Sequence, residues 1–182
     1  MPVMHSNGMP LGTTAPPFSL PGVDGEVYSL DSFADAELLV VVFTCNHCPY
    51  AIASEDRLIA IQNHYRDKGV RLVAINPNDA EKYPDDSFEK MKERAAEQGF
   101  NFPYLRDESQ EVARAYDAAC TPDVFVFDRD RKLLYNGRID DNWKEPAKVT
   151  RRELRELLDA ALRGETVDFE HTPSMGCSIK WK

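Results

Sequence analysis

Residues 38–50 read Leu38-Leu39-Val40-Val41-Val42-Phe43-Thr44-Cys45-Asn46-His47-Cys48-Pro49-Tyr50. The first six are aliphatic or aromatic with no alternation, the pattern of a central strand buried on both faces. Pro49 suits the first turn of a helix, where a missing N–H costs nothing. Leu58, Ile61 and Tyr65 continue at helical spacing, and Lys68-Gly69 is a stop signal. Cys45 and Cys48 therefore sit where a buried strand turns into a helix.

Outward from this turn the pattern repeats. Residues 70–75 form a second apolar run, broken by Asn76-Pro77-Asn78-Asp79. Residues 87–98 suit a charged helix with Phe88, Met91 and Ala95 on one face, ended by Gly99. Residues 103–105 are a short strand candidate, and 109–118 a helix with Val112, Ala113 and Tyr116 inward. Residues 124–127 and 133–136 predict a hairpin across Asp128-Arg129-Asp130-Arg131. Residues 150–163 are the clearest amphipathic helix, with Leu154, Leu157, Leu158 and Ala161 on one side. Upstream, 18–20 and 26–28 flank Val23-Asp24-Gly25, a hairpin signal. Residues 30–35 suit a short helix capped by Asp31 or Ser32. Residues 1–17 read as an irregular arm and 165–182 as a tail without periodicity. The alternation implies the α/β class: a central mixed sheet flanked by helices, in one domain over 1–182.

Composition narrows the partners. With 31 acidic and 22 basic residues the net charge is −9, which disfavours nucleic acid and anionic membranes. No apolar run approaches the ~20 residues of a membrane span. The start, MPVMHSNGMPLGTT, has neither a basic n-region nor an apolar h-region, so a cytoplasmic location is expected. In that compartment disulfides are usually transient and catalytic. The cysteines are Cys45, Cys48, Cys120 and Cys177, too few for a disulfide scaffold and wrongly spaced for a zinc ribbon.

Two thiols at a helix start can close a disulfide within one turn. Helix N–H groups and a charged His47 would favour a thiolate at Cys45, making it the nucleophile and Cys48 the resolving thiol. Other readings are a zinc site drawing in Cys120 and Cys177, an unreactive pair, or a metal carrier using Cys45, Cys48 and His47. Cys120 and Cys177 read as buried or surface thiols, or as a second redox pair tying the tail over the active-site face. The acidic stretch 79–86 reads as a solvated loop more readily than as a cation site.

Together these motifs resemble the thioredoxin-like superfamily and, within it, the peroxiredoxin-like branch (AhpC/TSA, redoxin). The resemblance covers nearly the whole chain. Ala15-Pro16-Pro17-Phe18-Ser19-Leu20 with Asp24-Gly25 is similar to that branch's N-terminal hairpin, and Phe43 to Tyr50 to its active-site turn. Val73-Ala74-Ile75-Asn76 and Thr121-Pro122 before Val124-Phe125-Val126-Phe127 also match. The resemblance implies a thioredoxin-like fold with an N-terminal β-hairpin and an inserted helix. It also implies a cis Pro122 facing the Cys-x-x-Cys, with Cys120 close to Cys45. Thr121 would offer backbone hydrogen bonds to an extended substrate, with Thr44 and Asn46 also contacting it.

The departures bear on activity. Typical peroxiredoxins carry Thr or Ser three residues before the reactive Cys and Pro seven before it; here these are Val42 and Leu38. Thioredoxin's buried Asp six residues before its first Cys is Leu39 here, and its preceding Trp is Thr44. The expectation is thiol–disulfide exchange on a disulfide substrate with a thiol reductant, by a monomer or dimer that needs no organic cofactor or metal. The alternative is a thiol peroxidase in which Cys45 becomes a sulfenic acid.

Overall fold

The computed structural model describes residues 2–167 and 169–182. Its elements in chain order are β1 (Val3–His5), β2 (Ser19–Pro21), β3 (Val27–Ser29), β4 (Leu38–Phe43), α1 (Pro49–Tyr65), β5 (Val70–Asn76) and α2 (Phe88–Gln98). There follow β6 (Tyr104–Arg106), α3 (Glu111–Ala115), β7 (Cys120–Thr121), β8 (Asp123–Phe127), β9 (Leu133–Gly137), α4 (Glu153–Leu162) and β10 (Met175–Ser178).

The main sheet has the order β6-β5-β4-β8-β9. β4 lies at its centre, parallel to β5 and antiparallel to β8. All six β4 side chains are buried, as its unbroken apolar run requires. Leu39, Val41 and Phe43 point to the face covered by the N-terminal hairpin, α3 and Ile179. Leu38, Val40 and Val42 point to the other, against Leu58 and Ile61 of α1, Met91 of α2 and Leu154 and Leu158 of α4. Each such aliphatic side chain contributes ~1.5–3 kcal/mol on full burial. No helix among the described residues is long and apolar enough to cross a membrane.

Two expected irregular segments are ordered as strands. The arm supplies β1 and the tail supplies β10, and β10 pairs antiparallel with both β1 and β7. The reason is tertiary. β10 is Met-Gly-Cys-Ser, with no period of its own, and its partners lie more than fifty residues away. The helix expected over 109–118 is confined to α3, because Gln110 and Asp117 adopt positive φ (67° and 52°) at its two ends. α1 begins at Pro49, so Cys48 is its N-cap and Cys45 precedes the helix altogether.

Candidate active site

The turn from β4 into α1 is held by its own backbone and by a loop from β5. Thr44 N–H donates to the Ile75 carbonyl at 2.9 Å. Asn46 N–H donates to Asp86 Oδ1 at 2.7 Å. Asn46 Nδ2 donates to the Asp85 carbonyl (2.8 Å), and Tyr104 Oη donates to Asn46 Oδ1 (2.7 Å). Asp86 is fully buried and also accepts from Asn76 Nδ2 (3.2 Å) and Asn78 Nδ2 (3.0 Å). His47 Nδ1 lies 2.5 Å from Asp86 Oδ2, and its ring stacks on Tyr83 with centroids 5.6 Å apart.

Across from this turn the Thr121–Pro122 peptide is cis, as the resemblance implied. Cys45 Sγ lies 3.4 Å from Thr121 Oγ1. Cys48 Sγ, when protonated, donates to the Thr121 carbonyl at 3.4 Å. Cys45, Cys48 and Cys177 cluster with Ala51, against Tyr50. The Cys48 thiol interacts with those of both Cys45 and Cys177. Four free thiols are thus present and all are buried.

A buried pair of thiols joined at the turn between a central strand and a helix, opposite a cis-proline, is the observation that decides the family. The chain matches the Redoxin family over residues 10–158. It belongs to that family. The chain is similar to a solved structure of an uncharacterized conserved protein from Geobacillus kaustophilus. That match has TM-score 0.95 and 50% identity over 100% of this chain and 97% of the other. The thioredoxin domain of a thiol-disulfide oxidoreductase from Bacteroides vulgatus shares the fold. There the TM-score is 0.61 at 19% identity, over 71% of this chain and 89% of that one. In sequence the chain is 26% identical over 125 residues to the thiol-disulfide oxidoreductase ResA of Geobacillus thermodenitrificans (strain NG80-2), covering 68% of this chain and 66% of ResA. It therefore spans just under two thirds of that relative's length.

In this redoxin the charge is placed differently from the sequence expectation. The hydrogen bond to Cys48, burial and the Asp86 carboxylate push the Cys45 thiol well above its ordinary value, and the Thr121 hydroxyl only partly offsets them. The hydrogen bond from Cys45 pulls Cys48 down against its burial, aided by the Cys177 thiol and the Ala51 and Cys177 amides. Of the two thiols, Cys48, the N-cap, is the one these surroundings favour as thiolate in the reduced redoxin. Cys48 is the N-cap of α1, so the positive end of the helix dipole favours its thiolate as well.

His47 does not act on Cys45 as expected. Its contact with Asp86 raises the imidazole's pKa against the effects of burial and of Lys180. Burial pushes Asp86 up, yet His47, the Asn46 amide and Asn78 outweigh it and hold the carboxyl below its ordinary value. Of the pair, the Asp86 carboxylate is the member that acts on Cys45. The acidic stretch is correspondingly no solvated loop at Asp86. Asn46 is occupied at both ends of its amide and Thr44 is buried, so both hold the turn instead of presenting a surface to substrate.

The expected Cys120–Cys177 pair is also corrected. In the β7–β10 register Cys120 faces Ser178 while Cys177 faces Thr121. Directly opposed residues share a face and successive residues alternate. Cys120 and Cys177 therefore point to opposite sides of the ribbon. Burial pushes the Cys120 thiol up, and its sulfur is directed to the Pro122 carbonyl at 3.5 Å. The tail does cover the active-site face, but the thiol it brings goes to Cys48. The edge of Thr121 that faces β10 is thereby already paired.

Cys45, His47 and Asp86 place one potential ligand atom each within 4.8 Å of one another. A metal there would draw on Asp86 and not on Cys48, unlike the carrier set expected from sequence. Beside the site, a cavity of about 430 Å³ is bordered by Pro122, Tyr50, Trp143, Arg57 and Met175. The Tyr50 and Trp143 rings pack at 4.0 Å.

Proposed function

We propose that this redoxin is a thiol–disulfide oxidoreductase whose couple is Cys45–Cys48. The observation that carries the reading is the pair of buried thiols at the end of β4 facing the cis-proline loop, with Cys45 Sγ 3.4 Å from Thr121 Oγ1 and Cys48 Sγ 3.4 Å from the Thr121 carbonyl. In the oxidised protein an incoming thiolate attacks Cys45, because the better leaving group is the thiolate of lower pKa, Cys48. The mixed disulfide therefore forms on Cys45. In the reducing direction Cys45 passes its proton to Cys48 and attacks a substrate disulfide. One substrate thiolate leaves and takes a proton. Cys48 then gives up its proton, attacks Cys45 Sγ and expels the second substrate thiol, leaving the Cys45–Cys48 disulfide. Two electrons pass to the substrate. The cavity beside Pro122, with its aromatic wall and Arg57, is the approach for a protein or small-molecule disulfide.

The test is a disulfide-reduction assay on wild-type, Cys45→Ser and Cys48→Ser proteins, with a labelled substrate. Cys48→Ser accumulates a covalent adduct on Cys45, and both variants lose turnover. Wild-type turnover no greater than that of the variants contradicts the proposal.

A second reading, thiol peroxidase, has one specific support. Val42 lacks the hydroxyl, but Thr121 Oγ1 lies 3.4 Å from Cys45 Sγ and can stand in for it. Peroxide attack needs donors placed for the departing oxygen, a requirement that exchange with a disulfide does not share. Peroxide consumption by wild type at a rate comparable to its disulfide reduction would favour this second reading.

A further inference from the structure

β7 is a two-residue strand lying against both sulfurs of the couple. Any strand that pairs with it presents one side chain on the face of Thr121, whose hydroxyl meets Cys45 and whose carbonyl meets Cys48. The chain's own β10 takes that place, and the residue it presents is Cys177. The fit is built in. A Cβ on Gly176 would fall 2.0 Å from the Thr121 carbonyl oxygen, so only glycine lets the two backbones approach this closely. The segment is anchored on both sides: Ser174 Oγ donates to the Gly137 carbonyl at 2.6 Å, and Lys180 N–H donates to Asn78 Oδ1 at 2.9 Å. Gln110 Nε2 donates to the Lys180 carbonyl at 2.8 Å.

We propose that Cys177 is a third redox thiol of the site, seated by β10 where a substrate sulfur would enter, and that it exchanges disulfides with Cys48. The proposal rests on the oxidoreductase reading and extends it. Cys48 is the middle sulfur of three. In the oxidised protein Cys177 attacks Cys48 Sγ, the Cys45–Cys48 bond breaks and the Cys48–Cys177 bond forms. The Cys177 proton passes to Cys45, and no external oxidant or reductant is consumed. Burial and the contact with Cys48 push the Cys177 thiol up to about 11, and the contact with Cys48, together with burial, raises Cys45 as well. The exchange returns Cys45 to the thiol form while the protein remains oxidised, and it ties the C-terminal strand covalently to α1.

The test equilibrates full-length wild-type, Cys45→Ser and Cys120→Ala proteins in oxidised and reduced glutathione. Samples are quenched in acid and alkylated, and linked peptides are mapped by mass spectrometry. Wild type is expected to give both Cys45–Cys48 and Cys48–Cys177 peptides. Cys45→Ser is expected to lose its free Cys177 thiol to a Cys48–Cys177 link. Cys120→Ala is expected to show the wild-type pattern. A Cys45→Ser protein with Cys48 and Cys177 unlinked, in a buffer that converts wild type to Cys45–Cys48, overturns the third-thiol proposal and leaves the oxidoreductase reading standing. Wild type without any intramolecular disulfide overturns that reading itself. If Cys45→Ser does not fold, wild type decides: a Cys48–Cys177 peptide supports the proposal and Cys45–Cys48 alone contradicts it.

Discussion

Asp86 holds the turn together and sets a buried carboxylate near Cys45. It lies about forty residues from Cys45, outside both the Cys-x-x-Cys and the Thr-Pro motifs, yet it accepts hydrogen bonds from the Asn46 amide, Asn76 and Asn78 and meets His47. Replacing Asp86 with Asn removes a buried negative charge beside Cys45. The Cys45 alkylation profile should then move to lower pH, and the His47 titration, followed by NMR, should fall back toward about 6.5. An unmoved Cys45 profile would show that the carboxylate does not act there. The same pair gives stability a defined pH window. His47 is raised in the fold, so its contribution is full below about 6.5 and is lost as pH rises through its folded value. Asp86 is lowered, so its contribution is full above about 3.9 and is lost as pH falls through its folded value. Urea unfolding should therefore show the largest gap between wild type and Asp86→Asn between those limits, narrowing on either side. His47→Ala leaves Asp86 uncompensated and withdraws a positive charge from the Cys48 thiolate. The reduced form loses stability, and the couple becomes more reducing by roughly 10–30 mV, where ~30 mV corresponds to about 1.4 kcal/mol. A potential unchanged or more oxidising in the glutathione titration would refute this role for His47. The cysteine pair and His47 were legible in the sequence. Asp86 was not, because its chemistry comes from burial by a loop whose composition reads as solvent-exposed.

At the scale of elements, strands and helices with their own periodicity were readable and those made by pairing were not. β4, α1, β5, α2 and α4 each carry a core-facing pattern, and the structure places them within a few residues of the expected bounds. β1 and β10 have no such pattern. Their order comes from each other and from β7, across almost the full length of the chain. One shift of element boundary had chemical consequences: with Cys48 and not Cys45 at the N-cap, the helix dipole favours the opposite sulfur. Gly176 tests the terminal strand directly. In Gly176→Ala the added Cβ meets the Thr121 carbonyl oxygen, an overlap that only backbone displacement relieves. Overpacking of this kind costs ~1–3 kcal/mol. Thermal unfolding should show that loss, and Cys177 should alkylate faster in the native variant than in wild type. Wild-type stability together with wild-type Cys177 protection would show that β10 does not press on the proline loop as described.

For the whole molecule, two sheets bring three segments to one point: the end of β4 in the main sheet, the cis-proline loop before β8, and the C-terminal strand of the β1-β10-β7 sheet. The first two were legible from the chain's motifs and the resemblance they carry. The third was anticipated as a covering tail but with the wrong cysteine partner, because register, which decides the face each thiol occupies, is set by long-range pairing. The acidic surface implied by a net charge of −9 disfavours acidic protein substrates and predicts slower reduction of them at low salt, where screening is weakest. An unchanged rate between low and physiological salt would remove electrostatics from substrate choice. The central claim is that Cys45 and Cys48 form a reversible two-electron couple. Its most direct measurement is a redox titration of the intact protein in glutathione buffers, with every thiol mapped by mass spectrometry at each poise. The account predicts a reversible two-electron transition in which Cys48 enters a disulfide in all molecules while Cys120 stays a thiol. Cys45 and Cys48 remaining alkylatable thiols across the whole range of poise would contradict it.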